Sequence, residues 1–311
     1  MTVLVTGASG FVGSAVLKEL VRRGEHVIAT ARRRYSGPPS PSVSWHIAET
    51  PTSADWRQLL KDVTVVYHFA WSSLPQSSNI DPIGDVADNI TGTLRLLEAA
   101  KSKSGLRFVF ASSGGTVYGR LKRVPASETH PTRPSCAYGV SKFAVENYLT
   151  LYRDLWGLDG VALRIGNAYG PGQTVGRNFG AVATFASSAL KGEPITIYGD
   201  GSITRDYLYI SDLVEAIVAA GAMRSVSPVL NIGSGMGHSL NEIVNELEKQ
   251  IAQPIRLTYT AARNFDVPVS VLDISLAKAQ LGWMPHTSFA EGIAETLKSI
   301  RSSAESSLKH G

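Results

Sequence analysis

The chain has 311 residues, a formal net charge of +4 and a single cysteine, with 43% hydrophobic and 18% charged residues. That balance is ordinary for a globular chain with room for a large core in one or two domains. One cysteine excludes an internal disulfide and a cysteine-built zinc site, no basic run beyond Arg32-Arg33-Arg34 points to nucleic acid, and no apolar run reaches the ~20 residues of a membrane span.

Residues 2–6 are a short apolar run that predicts a buried parallel strand. The chain enters this strand at once, without a charged segment and apolar stretch before it, so a soluble, cytoplasmic protein is expected. Gly7, Gly10 and Gly13 follow. Residues 14–23 then place Ala15, Val16, Leu17, Leu20 and Val21 at helical spacing, and Gly24 ends the helix. A glycine triplet between strand and helix gives a tight turn, close backbone approach to a pyrophosphate, and a helix N-terminus with free N–H groups. The triplet alone is a weak signal, but here the strand before it and the helix after it favour dinucleotide binding over a purely structural turn.

Residues 26–31 predict the second strand. NAD binders usually end it with an acidic residue that accepts from the adenosine ribose 2′-OH. Here Ala31 ends it, and Arg32 and Arg33 follow, guanidinium groups suited to a 2′-phosphate. NADP(H) is therefore favoured, with NAD(H) as the alternative. Residues 43–47 predict a third strand, 55–61 a helix, and 63–70 a fourth strand in which His68 reads as a core or strand-end residue. Residues 85–100 predict one long helix with Val86, Ile90, Leu94 and Leu97 on a single face. Asn89 within it has two readings of equal weight, support for backbone near an active site or a plain buried polar side chain. Residues 107–111 predict the fifth strand, which delivers Ser112 and Ser113, and residues 159–164 the sixth. Alternating strands and helices argue for an α/β fold with a doubly wound parallel sheet of Rossmann type.

Tyr138 and Lys142 stand four residues apart, and residues 143–149 after them read as helix, so the two share one face. An ammonium near a phenol favours the phenolate and lowers its pKa. Such a tyrosine can take a hydroxyl proton while a hydride leaves the same carbon. A bare Tyr-x-x-x-Lys is more often a packing tyrosine and an exposed lysine. Cys136 has no base beside it in sequence and reads as non-catalytic.

After residue 165 the texture changes. Residues 167–173 read as loop, 179–190 as helix, and 195–201 as strand and turn. Residues 205–212 lead into a helix through Ala220, residues 229–233 are a short strand, and Ser239 with Glu242 forms a capping box. Residues 273–281 predict a short helix, and the serine-rich tail from Ser302 reads as frayed.

Together these motifs resemble the extended short-chain dehydrogenase/reductases, specifically the nucleotide-sugar epimerase/dehydratase family. The resemblance rests on Thr6-Gly7-Ala8-Ser9-Gly10-Phe11-Val12-Gly13, on Ser112 to Gly119, on Tyr138 and Lys142, and on Asn167-Ala168-Tyr169-Gly170-Pro171-Gly172. Arg205-Asp206-Tyr207 and Leu281-Gly282-Trp283 complete it, so it covers nearly the whole chain. It implies a Rossmann domain (1–165 and 206–232), a smaller substrate-capping domain (166–205 and 233–300) and a tail (301–311). It implies Tyr138 as acid/base, Lys142 as its pKa partner and ribose ligand, and cofactor contacts from Gly7, Ser9, Gly10, Phe11, Val12, Gly13, Phe69, Ala70, Asn89, Ser112 and Ile165, with Arg32 and Arg33 at the 2′ position. On the substrate side it implies Thr116, Asn167, Asn178, Tyr198, Arg205, Arg263 and Asp266, around a nucleotide-diphosphate sugar. A homodimer through the helices at 85–100 and 141–155 is also implied; a metal, a membrane and nucleic acid are not.

Two departures stand out. The family's usual Ser or Thr three residues before Val-Tyr-Gly is Gly114 here, so the hydroxyl that meets the sugar C4 oxygen has to come from Ser112, Ser113 or Thr116; Ser113 is favoured. The acidic pair of the 4,6-dehydratases is replaced by Gly115 and Thr116, which argues against that reaction. The other departure is Ala31. The leading expectation is an NAD(P)-dependent 4-epimerase, probed against an NADPH-dependent 4-keto-sugar reductase and a non-catalytic dinucleotide-binding regulator.

Overall fold

A computed structural model describes residues 1–32, 40–48, 54–174, 180–263 and 266–309. The first half alternates as the periodicity predicts. It runs β1 (Thr2–Thr6), α1 (Phe11–Arg22), β2 (His26–Ala31), β3 (Val43–Ile47), α2 (Trp56–Leu59) and β4 (Val65–His68). Next come α3 (Pro75–Ile80), α4 (Pro82–Asp85), a π-helical turn (Val86–Ile90), α5 (Thr91–Ala100), β5 (Arg107–Ser113), α6 (Ala137–Trp156) and β6 (Asp159–Ile165). The second half mixes shorter pieces: β7 (Asn167–Tyr169), α7 (Ala181–Leu190), β8 (Ile195–Tyr198), β9 (Thr204–Tyr209), α8 (Ile210–Ala222) and β10 (Val229–Ile232). It ends with β11 (Gly237–Ser239), α9 (Leu240–Ile251), β12 (Leu257–Thr260), β13 (Val269–Ser270), α10 (Ser275–Leu281) and α11 (Phe289–Lys309).

Seven parallel strands form the central sheet in the order β10-β6-β5-β4-β1-β2-β3. Side chains of one strand alternate between the faces, so Val3 and Val5 of β1 join the core under α1 and α8, while Leu4 joins the core under α5 and α6. Both faces are thus covered by helices, as a parallel sheet requires. Strand order reverses between β1 and β4, where Thr6 lies beside His68. The crevice at the carboxyl ends of these two strands is where such folds take ligands. A further core joins β8, β9, α7, α9 and α11 through Ile195, Ile197, Tyr207, Phe185, Leu247 and Leu297. The expected capping box opens α9, with Glu242 N–H donating to Ser239 and Ser239 N–H donating to Glu242. Among the described residues no helix is long and apolar enough to cross a membrane.

Three expectations need correction. The helix predicted over 85–100 is not continuous: α4 passes through a π turn into α5. That wider turn shifts the inward face, so Val86 is 47% exposed while Asp85 and Asn89 are buried. The helix α3 has no counterpart in the sequence reading. The tail does not fray at Ser302, because α11 continues to Lys309, seated by Ile293 and Leu297, with Ser302 and Ser303 hydroxyls donating to the carbonyls of Lys298 and Ser299.

Candidate active site

The floor of the site is the loop between β1 and α1. Gly7 has φ +66°, and a Cβ there would fall 2.7 Å from the Ala70 nitrogen. A Cβ on Gly13 would fall 2.2 Å from the Gly7 carbonyl oxygen. Only glycine fits either place. Gly10 caps α1 without a side-chain bond, so the first-turn N–H groups are left for a ligand. Thr6 Oγ1 accepts from the N–H groups of Phe69 and Ala70, both at 3.2 Å, and holds the exit of β4 against the glycine loop. These features fit a dinucleotide pyrophosphate over Gly7, Ser9, Gly10, Phe11, Val12, Gly13, Phe69 and Ala70.

His68 is buried, as its place in β4 predicts. Thr93 donates to the Asn89 carbonyl at 2.6 Å, so it accepts from His68 Nε2 at 2.9 Å; His68 Nδ1 then accepts from Thr6 Oγ1 at 2.7 Å. Burial pushes the imidazole down to about 3, and the charge of Lys142 adds to it, so the ring is neutral. Asn89 is buried too. Its oxygen accepts from Ser72 N–H at 2.8 Å, and its nitrogen donates to Asp85 at 2.8 Å and to Ser73 at 3.2 Å. The first reading of Asn89 therefore holds, but its amide is spent on the 71–73 loop.

α6 carries Tyr138 and Lys142. Its N-terminus receives no side-chain cap from Cys136 and is capped from α3: Tyr138 N–H donates to Ser78 Oγ at 2.9 Å and Ala137 N–H to Asn79 Oδ1 at 2.8 Å. Lys142 Nζ donates to the Ala111 carbonyl at 2.7 Å and lies 3.6 Å from the Trp71 ring centroid and 5.5 Å from that of Tyr138. The shared face is as expected, but the expected direction of tuning is not. Burial pushes the Tyr138 phenol well above its ordinary value, with the charges of Cys136 and Asp85 adding to it. Burial likewise pulls the Lys142 ammonium well below its own. In this state the ammonium is turned to a carbonyl and an indole face, so burial outweighs any help it gives the phenolate.

Of the three candidate hydroxyls, Ser112 is excluded. It is buried and donates to Glu146, which is paired with the equally buried Arg164 at 2.7 Å. Ser113 and Thr116 line the same cavity as Tyr138. A serine at Gly114 would require Leu272 to shift, because its Cβ would fall 2.6 Å from Leu272 Cδ1. Leu272 fills the room that the usual hydroxyl would take. Among the described residues Thr116 Oγ1, at this cavity, has no hydrogen-bond partner, as a ligand-accepting site would leave it.

The cavity has a volume of about 370 Å³ and runs from Tyr138 past Asn167 to Tyr198, Arg205, Arg263 and Asp266. Asp266 accepts from Arg263 at 2.7 Å and lies 3.6 Å from Arg205. Arg263 also stacks over Tyr198 at 4.7 Å. Arg205 donates to the carbonyls of Val267 and Thr204 at 2.7 and 2.9 Å. Distant positions in sequence, 138, 167, 198, 205, 263 and 266, thus meet at one cavity. Ile165 ends β6 opposite Ser113. Arg32 is exposed directly after buried Ala31 at the end of β2, on the rim of the crevice. Arg33 and Asn178 lie outside the described residues. Sequence reasoning missed Leu74, Pro75, Gln76 and Ser77, which line the cavity from α3; Pro75 at a helix start was the available signal. Cys136 also lines the cavity, with its thiol pushed up by burial and held inert. Among the described residues no cluster of metal ligands occurs.

Residues 3–233 match the NAD dependent epimerase/dehydratase family. The chain is 35% identical to a UDP-glucose 4-epimerase of Mycolicibacterium smegmatis, over 98% of this chain and 100% of the relative. A crystal structure of a UDP-glucose 4-epimerase of Thermotoga maritima with UDP-glucose superposes with a TM-score of 0.92 at 32% identity, covering 98% of this chain and 100% of the other. A Thermus thermophilus UDP-glucose 4-epimerase in complex with NAD gives a TM-score of 0.88 at 34% identity, covering 97% and 99%. With the glycine cradle at the switch point, and Tyr138 and the arginine pair around one cavity, the chain belongs to the NAD dependent epimerase/dehydratase family of enzymes.

Proposed function

We propose that the protein is a nucleotide-sugar 4-epimerase acting on a UDP-sugar. The observation that carries this reading is the single cavity that joins the Tyr138 phenol and the Ser113 and Thr116 hydroxyls to the Arg205/Arg263/Asp266 group. When bound, the nicotinamide supplies the reversible hydride exchange at C4 on which epimerisation depends. As the phenolate Tyr138 takes the proton of the C4 hydroxyl, and as the phenol it returns it; burial favours the phenol, the form that donates to the returning oxygen. Ser113 and Thr116 orient the C4 oxygen. Arg205 and Arg263 leave Asp266 for the diphosphate, Tyr198 packs on the base, and Asn167 and Asn178 hold the diphosphate or nucleoside. Asp266 is then free for the ribose side. Residues 166–205 and 233–300 form the substrate-binding unit. The test is incubation with UDP-glucose and no added reductant: appearance of UDP-galactose by NMR supports the reading, and no C4 interconversion with any UDP-sugar rejects it.

The cofactor proposed is NADP(H) in preference to NAD(H). Ala31 offers no carboxylate to the 2′-OH, and Arg32 stands exposed beside the crevice. R32A is expected to weaken NADP(H) roughly tenfold and NAD(H) far less, and A31D to reverse the preference. Titration of both cofactors decides it; equal or tighter NAD(H) binding by the wild type rejects the NADP(H) reading. Arg32 also favours a second reading, a 4-keto-sugar reductase, which would consume NADPH where an epimerase retains its cofactor through purification. A homodimer is proposed through α6 and the 80–86 segment, because Val140, Tyr148, Leu151 and Leu155 form one exposed stripe on α6, with Ile80, Ile83 and Val86 exposed nearby in the chain.

A further inference from the structure

Asp85 is 2% exposed and accepts three hydrogen bonds, from Ser73 Oγ, Ser141 Oγ and Asn89 Nδ2. All three donors are neutral, and an acceptor-only role fits the ionised carboxylate. None of the ion pairs among the described residues involves it. The other buried carboxylate on this side, Glu146, is already neutralised by Arg164 at 2.7 Å. Asp85 and Lys142 are two buried ionisable groups beside the Tyr138 turn of α6 that no ion pair among the described residues neutralises. They are linked in the chain, because Ser141, held by Asp85, precedes Lys142 and follows Tyr138 by one helical turn. Asp85 ends α4 and Asn89 lies in the π turn after it, four residues on, and both are buried.

We propose that Asp85 is a positioning residue for the Tyr138/Lys142 pair, fixing the Ser141 turn of α6 and supplying the counter-charge that keeps Lys142 protonated. The proposal rests on the reading of Tyr138 as the acid/base. The groups that face Lys142 are Tyr138 and Glu146 on its own helix, Asp85 at the end of α4, neutral His68 on β4, and the Ala111 carbonyl with the rings of Phe110 and Trp71. Asp85 and Tyr138 are also faced by the Cys136 thiol. Burial drives the Lys142 ammonium toward the neutral amine; Asp85 opposes it most, and Glu146 next. Glu146 shares its charge with a guanidinium, so the counter-charge falls to Asp85. Without it the amine loses its proton at lower pH, and the phenol loses its own at lower pH too.

D85N keeps the shape and a hydrogen-bonding amide, and D85S is a second neutral variant should D85N not fold. The measurements are NMR titration of isotope-labelled lysine in the cofactor-free protein, with the Lys142 signal assigned by its loss in K142M, and the pH profile of C4 interconversion. The titration midpoint of Lys142 is expected to fall by about one pH unit or more, and both limbs of the profile to move to lower pH. S141A, which loses the hydrogen bond but keeps the charge, is expected to lower turnover with the midpoint unmoved. A folded neutral variant whose Lys142 midpoint equals that of wild type overturns the proposal. Y138F separates the two failures: full activity in Y138F removes the acid/base reading itself, whereas an inactive Y138F with an unmoved midpoint in D85N removes the role of Asp85 alone.

Discussion

Tyr138→Phe is expected to lower turnover by roughly 10²–10⁴-fold, the range for loss of a positioned acid/base. Stability is expected to change little. Among the described residues the phenol oxygen makes no hydrogen bond, and the ring keeps its edge contact with Trp71 at 5.9 Å. The helix start is held by the backbone N–H groups of Ala137 and Tyr138, which the substitution does not touch. Steady-state C4 interconversion beside thermal unfolding reads both effects. Turnover equal to wild type would remove Tyr138 from the chemistry, and a collapse of stability would show that the hydroxyl serves the fold and that the lost turnover does not report on chemistry.

The second large effect is structural. Arg164→Met is expected to destabilise the fold by about 3–5 kcal/mol, because it leaves Glu146 as a buried, uncompensated charge. Arg164 donates to Glu146 through both Nε and one terminal nitrogen, reaches the Glu128 carbonyl at 3.2 Å, and stacks on Tyr118 at 4.7 Å. Removing both charges in R164M/E146L is expected to recover most of the loss, since well-packed apolar residues often replace a buried pair at little cost. Denaturant unfolding of the three proteins tests this. A single variant as stable as wild type would mean that Glu146 takes up a proton or finds water, contrary to its tight burial.

The strands and the glycine loop were legible because each is local. Apolar runs of four to six residues mark β1, β2 and β5, and the close approach at Gly13 is to Gly7 within one strand-turn-helix unit, although the approach at Gly7 is to the distant Phe69 and Ala70. The resemblance located Asn167, Tyr198, Arg205, Arg263 and Asp266 before any contact between them was visible. What stayed hidden was relational. Four-residue spacing put Tyr138 and Lys142 on one face, but could not show that the Ala111 carbonyl and the Trp71 ring hold the ammonium. Apolar spacing over 85–100 fits a plain helix, and a single widened turn leaves no compositional mark, so the inward turn of Asp85 was missed. Gly114 read as a missing hydroxyl; that Leu272, far along the chain, occupies the space is a fact of packing alone. The helix α3, with the sequence Pro-Gln-Ser-Ser-Asn-Ile, has no apolar period to detect.

That short helix has a consequence for anyone who would retarget the protein to another sugar. Leu74, Pro75, Gln76 and Ser77 wall the cavity, while Ser78 and Asn79, the next two residues, hold the backbone on which Tyr138 stands. Wall and anchor are one piece of six residues, with no hinge between them. Enlarging the wall to admit a bulkier ring would tug on Tyr138, so, with Tyr138 as the proposed acid/base, breadth of substrate and speed trade against each other at this spot. A library that varies 74–77 freely should therefore keep 78 and 79 fixed, and select for rate together with acceptance of the new sugar.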